Sequence, residues 1–256
     1  MKLLKTRKKR RVGRGILLVL AVLLLALAIG TWLYVRDYYH ADDRALAALA
    51  PASQDVTVKA GDDRIDFVPR APIAGLIFYP GAKVEFTAYA PLMEACAERG
   101  VLCVLLKMPG NLAVLDYNAA DGIPEDYPEV TRWYVGGHSL GGNIAATYAK
   151  KHADAVTGLV MLAAYSTDDL TDTDLQVLSV YGANDGVLNR ERYETYRENL
   201  PADTTEIIIE GGCHSFFGSY GIQAGDGAPA IPLEAQIAQT ADAIAALAAD
   251  ETAAAA

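Results

Sequence analysis

The chain is poor in cysteine and, beyond its first residues, poor in basic side chains. Three cysteines in 256 residues are too few, and too odd in number, for a disulfide scaffold. Residues 1–14 hold eight of the 22 lysines and arginines and no acid, so the remainder carries 14 basic and 32 acidic side chains. The resulting net charge of −18 repels phosphate groups, which argues against nucleic acid as a partner.

Internal repeats are absent from the sequence, and polar low-complexity sequence is scarce. Apolar residues make up 52% of the chain and charged residues 21%, a composition that excludes disordered and fibrous proteins. The length suits one large α/β domain or two small ones.

One long apolar run lies near the N-terminus. Residues 16–35 carry no charge, and as a helix they would span about 30 Å, the thickness of a bilayer core. Trp32 and Tyr34 lie near the end of the run, where aromatic rings prefer the interface, and the basic tail of residues 1–15 is expected to stay in the cytoplasm beside anionic lipid. We therefore expect a single-pass cell-membrane anchor with an extracytoplasmic C-terminal part. A signal peptide cleaved near Ala28 is the alternative, disfavoured because the apolar run continues past that residue.

The rest of the chain alternates short apolar runs with helical stretches. Residues 36–53 are expected to form a linker with a helix over Arg36–Ala50, and residues 54–249 a single α/β domain. Residues 250–256 are expected to be an alanine-rich tail without function. An antiparallel hairpin is predicted around Gly61, since apolar and polar residues alternate on both sides of a turn.

Several apolar runs are predicted to be strands buried on both faces, and longer stretches between them to be helices. The strands are Leu76–Tyr79, Val101–Leu106, Trp133–Val135, Leu159–Leu162, Val177–Tyr181 and Ile207–Ile209. The helices are Thr87–Arg99, Leu140–His152, Arg190–Asn199 and Pro232–Ala249. This alternation predicts a mostly parallel, doubly wound sheet with the hairpin at its start.

One short motif carries the strongest chemical signal. Residues 136–142 read GGHSLGG and contain a G-x-S-x-G string centred on Ser139. A predicted strand precedes the motif and a predicted helix follows it, which is the setting of a nucleophile elbow, the sharp turn that presents a catalytic serine. The glycines on either side leave room where the strand and the helix approach closely. The alternative is a glycine-rich turn whose serine only faces solvent.

A serine hydroxyl is a weak nucleophile and needs a base, for which histidine is the usual residue. His214 follows the last predicted strand in a glycine-flanked loop, which places it at the same edge of the sheet as Ser139. The other histidines have simpler expected roles. His40 lies beside the apolar run, His152 ends a helix, and the ring of His138 is expected to point away from this edge.

The base in turn needs a carboxylate that orients its ring. Asp185 lies in an Asn-Asp-Gly turn directly after a predicted strand, and Ser139, Asp185 and His214 follow one another in the chain order expected of such a fold. The alternative role of Asp185 is to stabilise the turn itself. Weaker candidates for the acid are Asp172, Asp174 and Asp226.

With these motifs the sequence resembles the α/β-hydrolases, and among them the compact bacterial group described as alpha/beta hydrolase fold-5, which is similar to dienelactone-hydrolase-like proteins. The matching pieces read FYPGAKVEFTAYAPL, GGHSLGG, YGANDG and GGCHSFFGSYGIQAGDG, and they extend over nearly all of the predicted domain. The resemblance implies an α/β-hydrolase fold with a catalytic triad of Ser139, Asp185 and His214. It also implies an oxyanion hole formed by the backbone N–H groups of Leu140 and Ala82.

The three cysteines lie close to predicted elements of the domain. Cys213 stands directly before His214, where the resembling group has asparagine, and we expect it to be a small packed residue rather than a second nucleophile. Cys96 and Cys103 lie on a predicted helix and on the next predicted strand. The sequence leaves open whether these two form a disulfide.

A lid domain is not expected. Only Tyr165–Asp174 separates two predicted strands where the lid of large lipases enters, and four of its ten residues are Asp.

The sequence therefore predicts a membrane-anchored, extracytoplasmic serine hydrolase with an open site, most simply one that cleaves small, accessible carboxylic esters without a metal or a cofactor. The alternatives are a thioesterase, a peptidase, or a catalytically silent hydrolase-like envelope protein that binds a ligand. Acyl specificity and oligomeric state stay open.

Overall fold

Residues 2–50 and 53–249 are described by the computed structural model, with side chains from residue 17 onward. The predicted alanine-rich tail lies outside the described residues. The chain divides into two units, Met1–Tyr38 and Tyr39–Ala256.

The first unit contains the long helix α1 (Lys2–Arg36). Its segment Leu17–Arg36 is long and apolar enough to cross a membrane, and none of it is buried against protein. Leucine and valine side chains exposed all round a helix need an apolar cover such as lipid. The length and composition agree with the predicted anchor, and an N-terminal signal sequence has the same character.

The second unit is built on one eight-stranded sheet in the described part of the chain. The strands are β1 (Val56–Ala60), β2 (Arg64–Pro69), β3 (Ala74–Tyr79), β4 (Val101–Leu106), β5 (Trp133–His138), β6 (Gly158–Leu162), β7 (Gln176–Gly182) and β8 (Thr205–Ile209). Their order across the sheet is β1-β2-β4-β3-β5-β6-β7-β8. Strand β2 is antiparallel to both of its neighbours, and the other pairs are parallel. The predicted hairpin and mostly parallel sheet are confirmed.

Helices cover both faces of this sheet. They are α2 (Asp43–Ala47), α3 (Ala90–Ala97), α4 (Leu140–Lys151), α5 (Arg190–Tyr196) and α6 (Leu233–Ala249). Leu76 and Phe78 of β3 pack in one apolar core with residues of α3 and α6, whereas Ile77 and Tyr79 pack in another core with residues of α4. The doubly wound arrangement is confirmed. Because parallel strands end at one edge, the loops after β3, β5, β7 and β8 all emerge there.

The segment between α1 and α2 differs from the sequence prediction. The sequence predicts one helix over Arg36–Ala50, whereas α1 ends at the first of these residues and α2 covers only five of them. Helix α2 begins separately because the carboxylate of Asp42 caps it, accepting the N–H of Ala45 at 3.0 Å. Tyr39 forms an isolated parallel bridge with Val84 instead of continuing a helix.

Two other predicted helices are shorter than expected. The predicted helix Thr87–Arg99 begins with a 3-10 turn (Phe86–Tyr89) before α3. The predicted helix Arg190–Asn199 ends in a 3-10 turn (Arg197–Asn199) after α5. Helix ends often tighten in this way, and the strand order does not depend on these boundaries.

Candidate active site at the carboxyl edge of the sheet

Ser139 lies in a sharp turn between β5 and α4. Its backbone has φ 53° and ψ −121°, a strained conformation for a residue with a side chain. The turn leaves no room for a Cβ atom at its flanks: one added at Gly137 would lie 2.5 Å from the carbonyl carbon of Gly141, and one at Gly141 would lie 2.2 Å from the carbonyl oxygen of Tyr79. The glycine spacing of the motif therefore has a steric cause, and the expected strand–serine–helix turn is present.

His214 and Asp185 form a buried pair. The imidazole Nδ1 lies 2.9 Å from Asp185 Oδ2, and both side chains are almost fully buried. The other carboxylate oxygen, Oδ1, accepts the backbone N–H groups of Val187 at 2.9 Å and Leu188 at 2.7 Å. These bonds fix the carboxylate so that Oδ2 is left to accept the Nδ1–H of the ring. The Nε2 atom then carries a lone pair, and it has no partner among the described residues.

Ser139 and His214 line the same cavity, which has a volume of about 390 Å³. The apolar part of its wall is formed by Leu140, Ala163, Ala164, Val187 and Leu188. The polar part is formed by Asn143, Tyr165, Thr167, Asn189 and Arg192. A cavity of this size, with apolar walls and a few polar groups, suits a small organic ligand.

The two backbone donors expected for an oxyanion hole lie beside adjacent strands. Leu140 begins α4 and lines the cavity, while Ala82 is a half-buried residue on the loop after β3 and is not among the residues that line the cavity. Strands β3 and β5 are neighbours, with Tyr79 opposite Gly137. In the described part of the chain neither of the two N–H groups donates a hydrogen bond to another protein atom.

His138 does not lie where the sequence predicts. Its ring is buried, and the ring centroid lies 4.4 Å from that of His214. The hydroxyl of Tyr89 lies 2.8 Å from His138 Nδ1 and accepts the N–H of Gly81 at 3.0 Å. Burial, with a smaller effect from His214, holds the pKa of His138 well below its usual value, so the ring stays neutral. His138 and Tyr89 thus connect the candidate base to the loop that carries Ala82. The expectation that the ring of His138 points away from this edge was wrong.

Asp226 binds the loop of His214 rather than its ring. Its Oδ1 accepts the backbone N–H groups of His214 at 3.1 Å and Gly186 at 3.2 Å, and its Oδ2 accepts the N–H and the hydroxyl of Ser215 at 2.8 and 2.6 Å. Burial alone would raise the pKa of Asp226, but these hydrogen bonds outweigh it and lower the pKa below its usual value. Asp226 therefore joins the loop of Asp185 to the loop of His214. The other two weaker candidates, Asp172 and Asp174, are exposed.

The cysteines are free thiols in the described structure, and all three are buried. Cys96 and Cys103, whose pairing the sequence leaves open, form no disulfide in the described structure. The backbone of Cys213 is bound on both sides by the amide of Gln236, at 3.0 and 2.8 Å. Burial raises the pKa of Cys213 to about 12, so its thiol is not ionised at neutral pH. The expected packing role of Cys213 fits these contacts.

The arrangement of strands and edge loops agrees with one protein family. The sequence model of the alpha/beta hydrolase family matches residues 75–238. The chain belongs to the alpha/beta hydrolase family. The match contains Ser139, Asp185 and His214, so the family assignment covers every candidate side chain of the site. It begins after α2, β1 and β2, which lie outside it.

Solved structures of this fold resemble the chain over most of its length. A predicted CIB-like hydrolase from Thermoplasma acidophilum aligns with a TM-score of 0.57 and 15% identity, over 75% of this chain and 99% of that chain. Est1E from Butyrivibrio proteoclasticus aligns with a TM-score of 0.55 and 15% identity, over 77% of this chain and 100% of that chain. At this level of identity the likeness shows the shared fold. No curated protein matches the sequence.

Proposed function

We propose that the protein is a serine hydrolase that cleaves carboxylic esters through an acyl-enzyme. One observation carries the proposal: Ser139, held in a strained turn, and His214, bound to Asp185, line one cavity. A nucleophile, a base and a carboxylate that orients the base are the three groups that this chemistry requires.

The reaction follows from these positions in two halves. Ser139 Oγ attacks the ester carbonyl carbon while His214 Nε2 takes the hydroxyl proton, and Asp185 stabilises the imidazolium that forms. The ester C–O bond then breaks, and the alcohol leaves with the proton from His214. In the second half His214 takes a proton from water, whose oxygen attacks the acyl carbon. The carboxylic acid leaves, and Ser139 recovers its proton from His214.

The negative charge that develops on the carbonyl oxygen needs N–H donors that are already in place. We assign this role to the backbone N–H groups of Leu140 and Ala82. Leu140 lies at the N-terminus of α4, where the helix dipole favours negative charge. The N–H of Gly81 is occupied by Tyr89, which leaves Ala82 as the next donor on that loop.

Short acyl esters are expected to be better substrates than long ones. A cavity of about 390 Å³ holds a small acyl group, and the segment Tyr165–Asp174 is too rich in carboxylates to cover a long chain with an apolar lid. The measurement is the rate against concentration for p-nitrophenyl butyrate and p-nitrophenyl palmitate. We expect a higher kcat/KM for butyrate and no increase in rate at the solubility limit. Preference for palmitate, with sigmoidal activation once droplets form, would contradict the open site.

The same assay separates this proposal from its alternatives. A catalytically silent binding protein would bind a small ligand in the cavity and release no p-nitrophenol from either ester. A thioesterase or a peptidase would cleave a matched butyryl thioester or butyryl amide with a higher kcat/KM than the ester. We choose the ester over the amide because an alcohol leaves with less help from an acid than an amine does. The comparison with the thioester is decided by the assay itself.

We further propose that α1 anchors the protein in the cell membrane with the hydrolase domain outside the cytoplasm. The proposal rests on the apolar span Leu17–Arg36 and on the basic residues that precede it. The full-length chain is expected in the membrane fraction, and protease added outside spheroplasts should digest the domain. A soluble product that begins near Ile29 would show signal cleavage, and protection from the external protease would show the opposite orientation.

A further inference from the structure

The first residues of the second unit pack against the loop that is assigned to the oxyanion hole. We call residues 39–42 the entry segment and residues 80–85 the oxyanion loop. The N–H of Tyr39 donates to the carbonyl of Lys83 at 2.7 Å, and the N–H of Glu85 donates to the carbonyl of Tyr39 at 2.8 Å. The N–H of Ala41 donates to the Glu85 carboxylate at 3.2 Å. The entry segment is therefore joined to the oxyanion loop by one parallel β-bridge, Tyr39 to Val84, and by the bond to the Glu85 side chain.

The same segment binds the loop that carries His214, residues 211–227, which we call the base loop. The hydroxyl of Tyr39 accepts the N–H of Ala224 at 2.9 Å, and its ring packs on Tyr220 with 5.7 Å between centroids. The N–H of Asp42 donates to the carbonyl of Ser219 at 3.0 Å, and its carboxylate accepts the hydroxyl of Ser219 at 2.8 Å. Side-chain and backbone bonds thus attach the entry segment to the middle of the base loop.

Nothing in the sheet joins these two loops directly. The oxyanion loop follows β3 and the base loop follows β8, and three strands, β5, β6 and β7, lie between them. The aromatic contacts extend the connection inward, because the ring of Tyr220 also lies 6.4 Å from the ring of Tyr89, which binds both Gly81 and His138. The entry segment therefore contacts both the loop that carries the oxyanion donor and the loop that carries the candidate base.

We propose that Tyr39 and Asp42 are positioning residues of the hydrolase site. They hold the oxyanion loop and the base loop at the separation that lets Ala82 N–H and His214 Nε2 act on one carbonyl group. They touch neither the substrate nor the reacting atoms, and no residue of the entry segment lines the described cavity. The proposal rests on the proposed function, because that function assigns the oxyanion loop and the base loop their roles. It also means that a segment outside the family match is part of the site.

The test uses the full-length chain in detergent micelles and compares single variants by kinetics. Tyr39→Ala removes the ring and the hydroxyl, and we expect kcat for p-nitrophenyl butyrate to fall by about 10- to 100-fold, the effect of misplacing reacting groups by about 1 Å. KM should change little, since the cavity wall is intact. Tyr39→Phe and Ser219→Ala each remove one hydrogen bond and should lower kcat by about fivefold. Arg44→Ala is the matched control, because Arg44 lies in α2 next to the segment and pairs only with exposed Glu234 among the described residues.

Hydrogen–deuterium exchange on the same proteins separates this proposal from the proposed function. In Tyr39→Ala we expect faster exchange in peptides from both the oxyanion loop and the base loop, with β6, β7 and α4 unchanged. If the wild-type protein cleaves no ester, the proposed function fails, while the exchange data still decide whether the segment holds the loops. Unchanged exchange in both loops, or a kcat equal to that of Arg44→Ala, would overturn the proposal. Faster exchange throughout the sheet would also overturn it, since that shows general destabilisation. If Tyr39→Ala does not fold, the two single-bond variants decide the outcome.

Discussion

Replacing Ser139 with alanine is expected to lower kcat/KM for p-nitrophenyl butyrate by about 10⁵-fold or more, because the nucleophile is lost and only binding and the oxyanion donors remain. The melting temperature should stay within about 2 °C of the wild-type value, because alanine keeps the Cβ atom and so leaves the strained turn as it is. Assays of p-nitrophenol release with the purified variant give kcat/KM, and scanning calorimetry gives the melting temperature.

Ser53→Ala serves as the control for this experiment, since it deletes a hydroxyl that accepts the backbone N–H of Asp55, and neither residue lines the cavity. It should retain wild-type turnover. Substantial turnover in Ser139→Ala would remove Ser139 as the nucleophile and leave the strained turn as a structural feature alone.

Asp185→Asn is expected to lower kcat by about 10⁴-fold while the fold is kept. The structure explains why the amide cannot adapt. Oδ1 of Asp185 accepts two backbone N–H groups, from Val187 and Leu188, so the amide NH₂ must take the position of Oδ2 and face His214. A donor at that position requires the ring to accept at Nδ1. The ring proton then lies on Nε2, which can no longer take the proton of Ser139.

The matched control is Asp172→Asn, a weaker candidate for the acid that is exposed in the structure. Its kcat should equal that of the wild type. The assignment of Asp185 would be wrong if Asp172→Asn lost activity and Asp185→Asn retained it. Retention of activity by both variants would show that neither of these two carboxylates is needed to orient His214.

The sequence predicted the fold and much of the candidate site because the relevant signals are local. Alternation of strands and helices predicted the parallel sheet, and parallel strands bring their following loops to one edge, which is why Asp185 and His214 were found together. The glycines around Ser139 predicted its turn, since the close approach of β5, α4 and Tyr79 leaves no space for a larger side chain. Each of these signals is a short pattern in the sequence, even where the residues that it brings together are far apart in the chain.

The features that sequence reasoning missed depend on contacts between distant residues. His138 lies on a strand that is buried on both faces, and alternation of apolar residues cannot show that its ring packs on His214. Residues 36–50 have helical composition, yet Tyr39 pairs with Val84 and binds Ala224, which is 185 residues further along the chain. The sequence suggests Asp226 only as an acid for the ring, whereas in the structure it accepts backbone N–H groups of two loops and the hydroxyl of Ser215. No local pattern marks such partners.

The central claim, that Ser139 is an activated nucleophile, is tested most directly by covalent labelling with a fluorophosphonate probe. The probe reacts with a serine that a neighbouring base has activated, and peptide mass spectrometry identifies the residue that carries the adduct. We expect one adduct on Ser139 in the native full-length chain and no labelling after heat denaturation or in Ser139→Ala. An unlabelled native protein, or an adduct on any other residue, would contradict the account and favour a hydrolase-like protein that only binds its ligand.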